Sequence, residues 1–440
     1  EFWRRARWSP DGSHLLAQTE SHHLDLFKLS SSSDSDAAAS SSSSPHSLRH
    51  ILRLPSPTPL LDYTWYPFAH PSHPATWCFA YSARDVPLRL VDAYTGATRA
   101  TYGIQDHVER FIGPQAVAFT LDGMSLLAGH GGSISIFDVT RPGVNTCTTL
   151  RLVPMKRAVG AELQRGLVSA LTIVPHYDGS GSELIAVATF SGTVGIYQRG
   201  GGAPPGLWVD SARQPTVSSS LCIAGWKEGE GAGVMQLAFH PTTPYLLFVA
   251  LRKSGSIKCF DLRYLSPAPD FTSSEPADAA LVAIYDREGV EGPDGEDEDD
   301  YEWTRATSQR LFFHIDWAGR WLCAGSTTGR VSVWSLTASG DDEGNQGAGQ
   351  HAASRRSQAQ LRPRARRASW KLAGDAIASV SLHPLLPLVV AASGSRRWPD
   401  EGIEDEDHSS SDESAKRTGT AGAPRWLAHD AGLSLWDISE

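Results

Sequence analysis

Seven short stretches of this chain alternate apolar and polar residues with period two, each ending on an aromatic or aliphatic residue that Asp often follows. They are Leu24–Leu29, Leu88–Asp92, Ile134–Val139, Val194–Tyr197, Ile257–Leu262, Val331–Trp334 and Leu433–Ile438. Such alternation predicts strands with one face buried. Upstream of several of them a second pattern recurs, a short strand running into a turn. Ala6-Arg7-Trp8-Ser9-Pro10-Asp11-Gly12, Val117–Gly123, Leu237–Pro241 and Val380–Pro384 are its instances. Pro presets one turn dihedral and Gly tolerates positive φ. A small-residue strand follows, as in Leu322–Ser326 and Val389–Gly394.

The repeating unit is therefore strand, turn, strand, turn, strand, plus one further strand before the next unit. This predicts an all-β fold, a seven-bladed WD-repeat β-propeller spanning 1–440 as a single domain. The first unit opens on its inner strand and the last stops after Trp436-Asp437. The outer strand of blade 7 is therefore expected to be absent or poorly formed. The start has neither an initiator Met nor a signal-peptide core, which reads as a fragment.

Composition adds insertions to this picture. Hydrophobic residues make up 40% of the 440-residue chain, with 40 Gly, 27 Pro and 14 Trp, which favours short strands and tight turns. Disordered low-complexity insertions are expected at 30–47, 200–220, 286–306, 338–368 and 400–424, because such segments cannot bury enough apolar surface to order themselves. They also carry the charge. Residues 286–300 hold nine acids and one Arg, 400–413 eight acids, and 355–371 seven bases. The net charge of -10 thus sits in the insertions, and the near-neutral body argues neither for nor against nucleic acid. Five cysteines (Cys78, Cys147, Cys222, Cys259, Cys323), never paired as CxxC, read as reduced buried thiols. No apolar run reaches the ~18–20 residues of a membrane helix.

Catalytic signatures are missing from the sequence: no GxxxxGK[ST], HExxH, GxSxG or helix-opening GxGxxG occurs. No metal and no cofactor are expected. His70 and His73, with Cys78 nearby, have metal-like spacing, yet Pro71 and Pro74 make a plain loop the better reading. His22 and His23 read as loop histidines at a strand edge. His240 and His383 share one repeat position before Pro, which implies a hydrogen bond within the turn. Trp334 and Trp436 match the third-strand aromatic and are expected to pack between blades, with Trp65, Trp317 and Trp321 also packing.

Placing charges on the repeat gives the one candidate site. The turn between second and third strands faces the same side in every blade. That turn carries Arg84 in blade 2, Arg252-Lys253 in blade 5 and Arg396-Arg397 in blade 7, while Arg310 enters blade 6 on the same side. These six residues are expected to ring one mouth of the propeller, where guanidinium groups suit phosphate contact. Arg263 and Asp437 fall at third-strand ends, on the opposite face, and are expected to be structural.

The same stretches carry a family resemblance. Ser82-Ala83-Arg84-Asp85-Val86-Pro87-Leu88-Arg89-Leu90-Val91-Asp92-Ala93-Tyr94-Thr95-Gly96 is similar to the SSRxxPIxIWDAxTG pattern of the telomerase Cajal body protein family, and Leu61-Asp62-Tyr63-Thr64-Trp65-Tyr66 resembles its YDYxWY. Phe239-His240-Pro241, Arg252-Lys253 and Phe260–Arg263 follow its fifth blade, Gln309-Arg310 and Ala324–Gly329 its sixth, and Ser381–Leu388 its seventh. Val91 departs by standing where the family has Trp. The resemblance implies a non-enzymatic, monomeric nuclear protein. Such a protein binds a small structured nuclear RNA, of the small Cajal-body or telomerase-RNA type, and meets ribonucleoprotein or spliceosomal proteins. The insertions look fungal, and fungal relatives are associated with pre-mRNA splicing. A WD-repeat scaffold that binds only proteins, in nucleus or cytoplasm, is the alternative, and a propeller hydrolase or lyase the more distant one.

Overall fold

Each of the seven alternating stretches forms the third strand of a blade, in a computed structural model that describes residues 2–31, 46–153, 160–175, 183–199, 220–228, 233–266, 268–287, 309–337, 364–395 and 432–438. Blade 1 comprises Trp3–Trp8, His14–Thr19, His23–Ser31 and His46–Pro55, paired antiparallel in that order. Blades 2 to 6 repeat the meander, and their inner strands are Leu60–Trp65, Ala116–Phe119, Val168–Ile173, Val234–Phe239 and Phe313–Ile315. Blade 7 has three strands among the described residues: Ile377–Leu382, Leu388–Ser393 and Leu433–Asp437. The fold is therefore a seven-bladed β-propeller. Its helical content among the described residues is the short α-helix Glu275–Asp278 and one 3-10 turn, Leu262–Tyr264.

Burial explains the composition of each strand position. Second strands such as His14–Thr19, Cys78–Ala83 and Leu388–Ser393 are buried at every residue, because sheets pack on both of their faces. That rewards the small-residue runs, which let neighbouring blades approach. The outer strand His46–Pro55 lies on the ring's perimeter and is mostly exposed or half-buried. Blade 2 carries a fifth short strand: Gly143–Val144, from the connection in blade 3, pairs parallel with Thr98–Gly103 and covers part of that edge.

The ring closes between blades 7 and 1. Ala6, Trp8, Leu15 and Ala17 share a core with Val390 and Ala392, and the Trp8 Nε1–H donates to the Ser381 carbonyl at 3.2 Å.

Strand pairing runs further into the insertions than composition predicts. Ser30 and Ser31 complete the third strand of blade 1, Ser47 lies in its outer strand, and Asp286 ends the outer strand of blade 5. Ser220 opens the outer strand of blade 4 and Ala368 that of blade 6. Backbone hydrogen bonding decides these edges: the Arg364 N–H donates to the Ile284 carbonyl at 2.7 Å, and that of Arg367 to Val333 at 2.8 Å. The interiors of the insertions lie outside the described residues.

Candidate nucleic-acid interface

One backbone hydrogen bond recurs around the ring and defines a face. The N–H in the turn between second and third strands donates to the residue just ahead of the inner strand of the same blade. Glu20 bonds Phe2 at 2.9 Å, Arg84 bonds Pro59 at 3.0 Å, Phe190 bonds Leu167 at 3.0 Å, Arg252 bonds Gly233 at 2.7 Å and Gly394 bonds Ala376 at 2.9 Å. Inner-strand entries and these turns therefore share one side of the propeller.

Arg84 and Lys253 are exposed on that side and Arg252 is half-buried. Asp85 and Lys253 adopt positive φ, 58° and 59°, at the same place in their turns. Arg310 stands at the entry to blade 6, half-buried, its guanidinium carbon 5.3 Å from the Phe190 ring of blade 4. It thus reaches across the channel mouth. Its pKa is pushed down to about 10, chiefly by burial; Asp62 opposes the shift and the charges of Arg4, Arg5 and Arg252 add to it. His22 is likewise lowered, first by burial and then by Arg4, His23 and Arg84. These mutual effects bring Arg84, Arg252 and Arg310 into one electrostatic neighbourhood with Arg4. Arg396 and Arg397 lie outside the described residues; Gly394 and Ser395, from which their segment departs, are on the same face.

Arg4 and Arg5 were not among the residues picked out by the turn pattern. The available signal was two consecutive arginines at the start of an inner strand. Arg5 turns into the channel, which the inner strands of blades 1 to 5 line together with Arg310 and Phe312 at the entry to blade 6. It pairs with the Asp62 carboxylate at 2.5 Å and lies 4.0 Å over the Phe312 ring. Asp62 Oδ1 also accepts from the Tyr63 N–H at 2.9 Å, and its Oδ2 from the Val117 N–H at 2.8 Å. One carboxylate therefore ties blades 1, 2 and 3 together.

The opposite face holds the structural residues. His240 Nδ1 accepts from the Thr243 N–H at 3.0 Å, so its Nε2 carries the proton and donates to the Gly319 carbonyl of blade 6 at 2.8 Å. The Thr243 bond is the expected one within the turn, and the Nε2 bond adds a tie to the next blade. Arg263 forks onto Asp261, with bonds of 3.0 and 2.6 Å, and stacks over Tyr245 at 3.7 Å. Trp334 is fully buried, edge-on to Tyr285. Trp436 corrects the packing expectation: its ring is 40% exposed and Asp437 beside it is exposed, because no described strand covers the third strand of blade 7. Trp317 is also exposed, in the turn after the inner strand of blade 6, and Trp321 is half-buried. Cys78, Cys259 and Cys323 are buried, whereas Cys147 and Cys222 are only half-buried. His70 and His73 sit in an exposed loop, and no metal-ligating cluster of three occurs among the described residues.

This is the architecture of a WD-repeat protein with one basic channel mouth. No family model matches the chain. It is 26% identical over 91% of its length to Telomerase Cajal body protein 1 of Mus musculus, covering 60% of that protein. It is 22% identical over 90% of its length to the Telomerase Cajal body protein 1 homolog of Drosophila melanogaster, covering 58%. The resemblance to the telomerase Cajal body protein family therefore holds along nearly the whole chain. The Guanine nucleotide-binding protein negative regulator 1 of Schizosaccharomyces pombe is 28% identical over 76% of the chain, covering 70% of that protein. The chain spans about 60% of the length of its mammalian relatives.

Proposed function

We propose that this chain binds a small structured RNA through its basic channel mouth and assists assembly of a nuclear RNA–protein particle, without catalysis. The observation that carries this reading is the convergence of Arg84, Arg252, Lys253 and Arg310 on one face, with Arg4 beside them. Phosphate contact is what such clustered cations do best, and Arg adds the bidentate fork. Arg396 and Arg397 extend the set in sequence. The names of the relatives favour a client of the small Cajal-body or telomerase-RNA type and a nuclear location; a role beside spliceosomal proteins is the fungal form of the same reading. Crosslinking in cells, followed by sequencing of the bound RNA, tests it. Enrichment of one class of small nuclear RNA supports the reading, and an RNA profile no different from an unrelated control sinks it.

A protein-scaffold reading is favoured by a different observation. Phe68, Met124, Tyr264, Trp317 and Leu385 are all exposed, and all lie in turns on the opposite face. Protein partners docking there are compatible with RNA on the basic mouth.

A further inference from the structure

The channel mouth holds more positive charge than its own acids neutralise. Arg4, Arg5, Gln309, Arg310 and Phe312 line a recess there. Two carboxylates serve it and both are engaged: Glu20 pairs with Arg4 at 3.2 Å, and Asp62 with Arg5. Asp62 accepts from Arg5 and from the backbone N–H groups of Tyr63 and Val117, and Arg310 is not among these donors. The Arg310 guanidinium makes no hydrogen bond or ion pair among the described residues, and its contact is the Phe190 ring. A half-buried guanidinium with five donors and no acceptor is costly unless something supplies oxygens.

We propose that this recess binds a single phosphoryl group, with Arg310 as its principal ligand and Arg4 as the second cation. A tetrahedral oxyanion matches the guanidinium fork, and the surrounding charges of Arg4, Arg5 and Arg252 strengthen the attraction. Phe312 and Phe190 form the apolar walls that raise the strength of each bond by keeping water out. The site rests on channel geometry, and it deepens the RNA reading where the phosphate is part of an RNA chain. A small soluble phosphate ester presents the same group.

Thermal melts with pyrophosphate test the site directly. The wild type should gain roughly 2 °C or more at saturating pyrophosphate, beyond a chloride control of equal ionic strength. Arg310→Met should lose that gain while melting no lower than wild type in its absence, because it removes an uncompensated charge. Arg310→Lys, which keeps the charge and loses the fork, should retain a smaller gain. Equal gains in wild type and Arg310→Met, or no gain in wild type, overturn the proposal. Competition assigns the source: displacement of pyrophosphate by single-stranded RNA points to a chain phosphate, and displacement by inositol hexakisphosphate but not RNA points to a soluble ester. An Arg84/Lys253 variant that loses RNA yet keeps the pyrophosphate gain separates this site from the exposed rim.

Discussion

The Nε2–H of His383 donates to the Gly12 carbonyl at 2.9 Å, across 371 residues of sequence, and joins the last blade to the first. His383 Nδ1 accepts from the N–H groups of Leu385 and Leu386, which holds the ring in its Nε2-protonated form. Trp8 packs edge-on against the imidazole at 4.7 Å. His240 and Gly319 repeat the arrangement between blades 5 and 6. Gly12 and Gly319 have φ of 78° and 67°, and a Cβ on either would strike the partner imidazole. The histidine and the next blade's glycine thus form one device.

His383→Ala should lower stability by about 1–3 kcal/mol, from the missing bond and the unsatisfied donors it leaves. His240→Ala should cost a similar amount. Denaturant melts check both. A change in midpoint too small to measure for either variant would count against a joint that helps hold neighbouring blades together.

Acid should weaken the His383 joint and the contacts of other buried imidazoles of the propeller. Burial lowers the pKa of His383, and burial lowers His314, whose Nδ1 accepts from the Leu382 N–H, to about 4. His14 and His130 are also lowered to about 4, again chiefly by burial. Each folded pKa lies below the unfolded value of 6.5, so the unfolded chain binds more protons as pH falls. The stability they contribute is complete above about pH 6.5 and declines towards pH 4. Melting temperature followed from pH 7.5 to 4.5 should drop across that window, and His383→Asn should flatten the drop. A flat wild-type profile would show that these imidazoles titrate normally.

Asp62 predicts a larger effect. It is buried, pairs with Arg5 and accepts N–H bonds from two blades. Asp62→Ala leaves a buried guanidinium without its carboxylate and should cost about 3–5 kcal/mol. Arg263→Ala breaks an ion pair whose guanidinium is 56% exposed, so its cost should be far smaller. Reversal of that order in chemical denaturation would mean that the channel network carries little of the fold.

Much of the fold was legible because period-two alternation and Pro/Gly turns are local signals. All seven third strands fall where the pattern put them. The turn-bearing cations Arg84, Arg252 and Lys253 were legible for the same reason, since blade connectivity dictates which side a turn faces. Arg310's reach to Phe190, and the pairing of Arg5 with Asp62, join residues far apart in sequence and leave no local trace. Trp436 was misjudged because burial depends on a neighbouring strand, not on the residue's own pattern.

The described residues that flank the two acidic insertions, Arg287 and Gln309 for the first and Ser395 and Gly432 for the second, lie on the basic face. Deleting 402–420 should leave the melting temperature within about 3 °C, because such composition buries little. The deletion should also raise RNA affinity at low salt, since fewer tethered acids compete for the mouth, and the gain should shrink as salt screens them. Filter binding at two ionic strengths reads both outcomes. A large fall in melting temperature would mean that the segment packs on the body.

The exposed rim gives the most direct prediction on RNA. Arg252 and Lys253 sit together in one turn, and neither is held in an ion pair among the described residues. Replacing both with Glu puts repulsion where attraction was, without disturbing the Arg252 backbone bond to Gly233. Removing one phosphate contact should lower the slope of log affinity against log salt by about 0.7–1. Arg84→Ala, which deletes a single exposed cation, should weaken binding modestly at unchanged melting temperature. Arg263→Ala is the control: it lies on the opposite face and is engaged with Asp261 and Tyr245, so it should shift stability more than the salt slope. Titrations of labelled RNA at several salt concentrations measure all three. If the Arg252/Lys253 double variant keeps both affinity and slope, the basic mouth is a solvated edge, and the protein-binding reading of the opposite face takes precedence.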